Sequence, residues 1–186
     1  MVALNPAFFL EPEREKAEYD LHRNDPADPR YRAFLARSLD EVVRRVAPPA
    51  RGLDFGCGPG PALAAMVREA GYVVDLYDPF YVDDRAVFER RYAFITCTEV
   101  VEHFAHPRRE LERLWRMLEP GAPLVIQTGR VLDDARFRTW RYRQDPTHIR
   151  FFARESFVWL AAQWDASIDF PQRDVAVLQQ RGGEET

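Results

Sequence analysis

Residues 53–61 read Leu53-Asp54-Phe55-Gly56-Cys57-Gly58-Pro59-Gly60-Pro61, and the next apolar run, Tyr72 to Tyr77, closes on Asp78. A short hydrophobic run with an acidic residue, then glycines at every second position, predicts a strand that turns tightly into a helix. Glycines lack a Cβ, so the backbone can come close to a bound ligand beside the helix N-terminus. A carboxylate at the end of the following strand can accept hydrogen bonds from both hydroxyls of a ribose. Together the two features predict a site for an adenosine-containing ligand.

The spacing narrows the ligand. Dinucleotide-binding dehydrogenases use G-x-G-x-x-G, and counting from Gly56 the third glycine would fall on Pro61. No Gly-Lys-Ser or Gly-Lys-Thr follows the glycines, which excludes a P-loop. A proline at position 61 still suits the first turn of a helix.

The 186 residues suit one domain with a sizeable core, and 46% hydrophobic with 30% charged content is ordinary for a soluble globular chain. A net charge of -4 gives no overall field for a polyanion. Lys16 is the single lysine among 26 basic residues, so arginine richness reflects composition and is weak evidence for nucleic acid. The only cysteines are Cys57 in the glycine turn and Cys97 on an apolar run, which predicts reduced thiols and a cytoplasmic protein. No apolar stretch reaches membrane-spanning length.

Periodicity and turn residues divide the chain. Residues 1–30, rich in charge and proline, predict an irregular arm or lid. Residues 31–180 predict a single domain, and 181–186 a polar tail. Within the domain, helices are expected over Tyr31–Val46, Pro61–Ala70, Pro107–Leu118 and Arg154–Ala162. Strands are expected over Arg51–Phe55, Tyr72–Tyr77, Tyr92–Cys97 and Leu124–Thr128, with a terminal pair at Ile168–Phe170 and Val175–Leu178. Asp83–Arg90 leaves room for a short helix only, and Asp133–Arg143 is expected to be partly helical. Alternating strands and helices imply an α/β fold, a mostly parallel sheet with helices on both faces.

A second constellation follows the Tyr92–Cys97 strand. Glu99, Glu102 and His103 form E-x-x-E-H, and on a helical turn these spacings put all three on one face. From spacing alone they fit either divalent-metal ligands or a solvated turn. His106 precedes Pro107 and is expected to start a helix. A later segment, Asp145-Pro146-Thr147-His148-Ile149-Arg150-Phe151-Phe152, holds an isolated histidine.

The Asp54-x-Gly56-x-Gly58-x-Gly60 pattern with Asp78 resembles the first motif of class I S-adenosylmethionine-dependent methyltransferases. The resemblance implies a Rossmann-like sheet with an antiparallel edge strand. It assigns S-adenosylmethionine to Asp54, Gly56, Cys57, Gly58, Gly60, Asp78, Pro79, Phe80, Thr98 and Glu99. The short interval between Asp78 and Tyr92 departs from the family, implying a reduced third strand, with Phe80 and Tyr81 walling the adenine. E-x-x-E-H with a later histidine also resembles the ubiquinone-biosynthesis O-methyltransferases and the small-RNA 2′-O-methyltransferases. That implies a divalent metal such as Mg²⁺ on Glu99, Glu102, His103 and His148, with His103 or His148 as catalytic base where not ligating. The expected acceptor is a small molecule with adjacent oxygens. The alternatives are RNA, for which Arg138, Arg141, Arg143 and Arg150 interleave with Phe137, Trp140, Tyr142, Phe151 and Phe152, and a non-catalytic cofactor-binding subunit.

Overall fold

The computed structural model describes residues 1–21 and 24–180. His22, Arg23 and the tail 181–186 lie outside the described residues. The centre is a six-stranded sheet. Its strands are β2 (Arg51–Phe55), β3 (Val73–Tyr77), β4 (Phe94–Thr98), β5 (Pro123–Gln127), β8 (Ala166–Gln172) and β9 (Val175–Gln180), in the order β3-β2-β4-β5-β9-β8. β3, β2, β4 and β5 pair parallel; β9 runs antiparallel to β5, and β8 antiparallel to β9.

Side chains alternate across the sheet, as a strand buried on both faces requires. Leu124 and Ile126 face a core shared with α4 (Pro107–Arg116) and α6 (Arg154–Gln163), through Leu111, Leu114, Phe157 and Leu160. Val125 faces the opposite core with Leu35 and Val42 of α2 (Pro29–Arg45) and Leu63 and Val67 of α3 (Ala62–Glu69). Each such aliphatic side chain, once buried, contributes about 1.5–3 kcal/mol before entropy is subtracted.

The chain leaves β2, visits β3 on one side, and returns to β4 on the other. The carboxyl ends of β2 and β4 therefore flank the point where strand order reverses, where open α/β sheets bind ligands. Both the glycine turn and the E-x-x-E-H segment end at this crevice. After β3 the chain makes only a short Asp78–Val82 bridge and a 3-10 turn, Arg85–Glu89, before β4. The third strand of the class is thus reduced to a turn, and β3 is the sheet edge.

Two expectations are corrected. The arm is not irregular throughout: β1 (Val2–Ala3) pairs antiparallel with β7 (Arg150–Ala153), and α1 spans Pro12–Tyr19. Pro12 and Pro29 each sit at the first helical turn, where the missing N–H costs nothing. Asp28 accepts the Arg30 N–H at 2.8 Å, so α2 begins two residues before the apolar pattern does. Residues 150–153 are a strand as well. With β6 (Arg130–Val131) and β1 they form a small sheet that holds the His148 segment against the crevice. The remaining helix, α5, spans Asp134–Thr139.

Candidate functional site

The glycine turn is built by backbone geometry. Gly56 has φ of +76°, and its N–H donates to the Tyr77 carbonyl at 2.7 Å, stitching the turn to the end of β3. Asp78 accepts the Gly58 N–H at 3.0 Å through Oδ2 and the Phe80 N–H at 2.9 Å through Oδ1. The carboxylate is thereby held where the two strand ends meet. Asp54 is fully enclosed, accepts the Thr96 hydroxyl at 2.9 Å, and has its carboxyl pushed up to about 6, chiefly by burial. Burial likewise raises the Cys57 thiol to about 12, and both cysteines are free thiols. The Thr98 hydroxyl is 3.1 Å from Ser38 on α2, and Ser38 donates to Gln127 at 2.7 Å. Pro79 is exposed at the rim, and Phe80 is half-buried beneath the arm.

The arm closes over this crevice. Tyr19 at the end of α1 packs 5.7 Å from the Phe80 ring and edge-on, 5.2 Å, against His103. The Tyr81 hydroxyl donates to Asp20 at 2.7 Å. The Asn24 carbonyl oxygen sits 2.3 Å from where a Cβ on Gly60 would be. The space that glycine leaves at position 60 is therefore taken by the arm itself.

Glu99 follows the end of β4 in a left-handed conformation, φ 52°, and its N–H donates to Gln127 O at 2.7 Å. Only then does a single 3-10 turn, Val101–His103, begin. The expected shared helical face for Glu99, Glu102 and His103 is accordingly not formed. Instead Glu102, His103 and His148 each present a ligand-type atom, all within 4.8 Å of one another, and Glu99 falls outside that group.

The group is braced. The Nδ1 atoms of His103 and His148 lie 2.9 Å from Thr147 O and 2.6 Å from Tyr142 O. A carbonyl only accepts, so each Nδ1 carries the proton and each Nε2 keeps the lone pair a metal needs. Glu102 is wholly buried and receives hydroxyls from Thr128, at 2.9 Å, and from Tyr142. Burial holds its carboxyl above the usual range, and burial with the Glu102 charge pushes Glu99 up to about 9. Burial also lowers His148, against the pull of Glu102. His148 lies 3.8 Å from Asp145 through Nε2, and His106 is exposed at the start of α4.

A cavity of about 400 Å³ opens beside this group. Glu99, Tyr142, Phe34, Phe137 and Trp140 are among the residues that line it. Trp140 and Tyr142 stack at 4.7 Å and 21°. Sequence reading set Tyr142 among arginine-interleaved aromatics; its contact with Glu102 needed the fold of the 3-10 turn Arg141–Gln144. Arg138, Arg141 and Arg143 are exposed, whereas Phe151 and Phe152 are core and Arg150 is buried against the Ala105 carbonyl at 2.6 Å.

Comparison with known proteins agrees with this geometry. A family model described as a methyltransferase domain matches residues 30–168, about three quarters of the chain. The chain belongs to that family of methyltransferase domains. Among curated relatives, the ubiquinone biosynthesis O-methyltransferase of Klebsiella pneumoniae is 27% identical over 90 residues, 48% of this chain and 37% of that protein. The match thus spans little more than a third of the relative. Among solved structures, the 1,6-didemethyltoxoflavin-N1-methyltransferase of Burkholderia thailandensis, determined with S-adenosylhomocysteine, superposes with TM-score 0.63 at 14% identity, covering 96% of this chain and 94% of that one. A SAM-dependent methyltransferase from Archaeoglobus fulgidus gives 0.58 at 20% identity, covering 76% and 72%. At these identities the structures speak to fold. No helix among the described residues is long and apolar enough to cross a membrane.

Proposed function

We propose that the chain transfers the methyl group of S-adenosylmethionine to an oxygen of a small molecule carrying adjacent oxygens, assisted by a divalent metal on Glu102, His103 and His148. The observation that carries the reading is the bracing of the two imidazoles. Both Nδ1 atoms are committed to carbonyls, and the buried Glu102 completes a three-ligand group. Two imidazoles and a carboxylate suit Mn²⁺, Fe²⁺ or Zn²⁺ better than Mg²⁺, which prefers an all-oxygen shell. Such an ion would lower the pKa of a hydroxyl beside it and orient its oxygen.

In the reaction the acceptor oxygen loses its proton and attacks the methyl carbon in line. The carbon–sulfur bond breaks, and S-adenosylhomocysteine leaves. Asp54 and the glycine turn would hold the methionine half, and Asp78 the ribose hydroxyls. Phe80 and Tyr81 would wall the adenine. The domain supplies alignment and excludes water, and we read residues 1–30 as the lid. With both histidines ligating, neither serves as base; Glu99 lines the cavity wall with its carboxyl pushed up to about 9, so it would accept the proton only once a cation beside Glu102 restores its carboxylate form. A cavity of about 400 Å³ supports a small acceptor over an RNA strand.

The test is S-adenosylhomocysteine release with 4-methylcatechol as acceptor. Activity should require Mn²⁺, disappear in EDTA, and be lost in Glu102→Gln with cofactor affinity within about threefold of wild type. Undiminished turnover in EDTA would refute the metal-assisted reading.

A further inference from the structure

Tyr142 touches two of the three members of the Glu102–His103–His148 group, through different atoms. Its hydroxyl donates to Glu102 Oε1. Its backbone carbonyl accepts from His148 Nδ1 at 2.6 Å, and the two ring centres lie 4.0 Å apart. The neighbouring donors fix where the protons go. The Gly129 N–H donates to the Tyr142 oxygen at 3.2 Å, and the Thr128 hydroxyl gives its one proton to Glu102 Oε2 at 2.9 Å. The Tyr142 proton is left for the other oxygen, so each oxygen of this wholly buried carboxylate has a hydroxyl donor.

The tyrosine is itself seated from outside the group. Its ring stacks on Trp140 at 4.7 Å and 21°. The stacked pair fills the space beside Gly129, where an added Cβ would lie 2.7 Å from Trp140 Cζ2 and 2.9 Å from Tyr142 Cε1. Gly129 has no side chain to offer an ion, yet it decides where the tyrosine can sit. Gly129, Trp140 and Tyr142 all line the cavity.

We infer that Tyr142 is a positioning residue of the metal group: its hydroxyl fixes the Glu102 carboxylate and its carbonyl fixes the His148 ring, so affinity for the ion is set from the wall of the acceptor cavity. Hydrogen bonds of this kind aim a ligand's lone pair before the ion arrives, and losing one costs about 10–100-fold in metal affinity. The inference rests on the metal-assisted reading above. It adds a residue that stays outside the ligand set, since its hydroxyl is already paired with Glu102 and Gly129.

The experiment titrates Mn²⁺ calorimetrically into the EDTA-treated full chain saturated with S-adenosylhomocysteine, as wild type, Tyr142→Phe and Gly129→Ala. Each titration is run well below the variant's thermal midpoint, so a loss of stability alone does not register. Tyr142→Phe removes the hydroxyl and keeps the ring, the stack and the carbonyl. It should bind Mn²⁺ about 10–100-fold more weakly, with S-adenosylhomocysteine affinity within about twofold of wild type. The visible absorption of Co²⁺ bound in place of Mn²⁺ reports ligand geometry and should shift in the same variant. Unchanged Mn²⁺ affinity overturns the inference and leaves the metal-assisted reading standing. So does weaker Mn²⁺ binding with an unshifted Co²⁺ band and an equal loss of S-adenosylhomocysteine affinity, which marks a merely structural role. Should Tyr142→Phe fail to fold, Gly129→Ala decides: Mn²⁺ binding weakened by at least about fivefold upholds the inference, and unchanged binding overturns it. Absence of Mn²⁺ binding in wild type overturns both the inference and the metal-assisted reading.

Discussion

Replacing Gly56 by alanine tests how the glycine turn is made, and its cost can be worked from two separate contacts. Gly56 has φ of +76°, a left-handed conformation that costs an L-residue about 1–2 kcal/mol. An added Cβ would also lie 2.3 Å from Val100 Cγ2 and 2.8 Å from Cγ1. Val100 is packed against the core beneath the turn, so relieving that clash should cost about 1–3 kcal/mol more. Gly56→Ala should therefore destabilise the fold by about 2–5 kcal/mol, measured by urea denaturation. The two parts separate in a double-mutant cycle. Val100→Ala removes both offending methyl groups but leaves φ untouched, so the double variant should recover about 1–3 kcal/mol relative to additivity and still carry the backbone cost. Additivity within about 0.5 kcal/mol would refute the steric account. On the proposed assignment of the cofactor to this turn, Gly56→Ala should also weaken S-adenosylhomocysteine binding by tenfold or more.

Asp54 supplies a pH test. Its folded pKa of about 6 lies above the usual 3.8, so the fold favours the protonated form. The stability of the neutral carboxyl is fully present below about pH 3.8 and is lost as pH rises through 6. Asp54→Asn keeps an acceptor for Thr96 and should be more stable than wild type by about 3 kcal/mol at pH 7.5, with the difference shrinking toward pH 4 in urea melts. The same variant should lose cofactor affinity; a pH-independent difference would contradict the burial argument. Gly60→Ala would push a Cβ to within 2.3 Å of the Asn24 carbonyl, a backbone atom that cannot swing aside. Hydrogen exchange over residues 12–30 should accelerate while global stability stays within about 0.5 kcal/mol, and unchanged exchange would argue against the arm's contact with the turn.

The parts legible in the sequence share one property: they depend on neighbours in the chain. The strand–glycine turn–helix, Asp78 at the next strand end, and the apolar run that predicts a strand over Leu124–Thr128 are all local patterns, and they define the fold class. The reduced third strand was legible as a shortage of residues between Asp78 and Tyr92. The arm was misread for a local reason too. Proline richness over residues 1–30 predicts irregular backbone, whereas Pro12 and Pro29 both begin helices. The metal-type group needed long-range information. His148 lies 45 residues beyond His103 in the chain, and only the β1–β7–β6 sheet brings its segment back to the crevice. Glu99 was placed on a helical face by its spacing, but the strand end leaves it left-handed and outside the group. Tyr142 and Asn24 carried no spacing signal, because each acts through a contact with a distant turn.

The measurement that bears most directly on the central claim is calorimetry on the EDTA-treated protein. Mn²⁺ would be titrated into the S-adenosylhomocysteine complex of wild type and of His148→Ala. The account predicts one saturable site per chain in wild type, lost or weakened by at least 100-fold in the variant, with cofactor affinity unchanged in both. A cofactor complex that forms normally but binds no metal, or binds it equally well without the His148 imidazole, would contradict it.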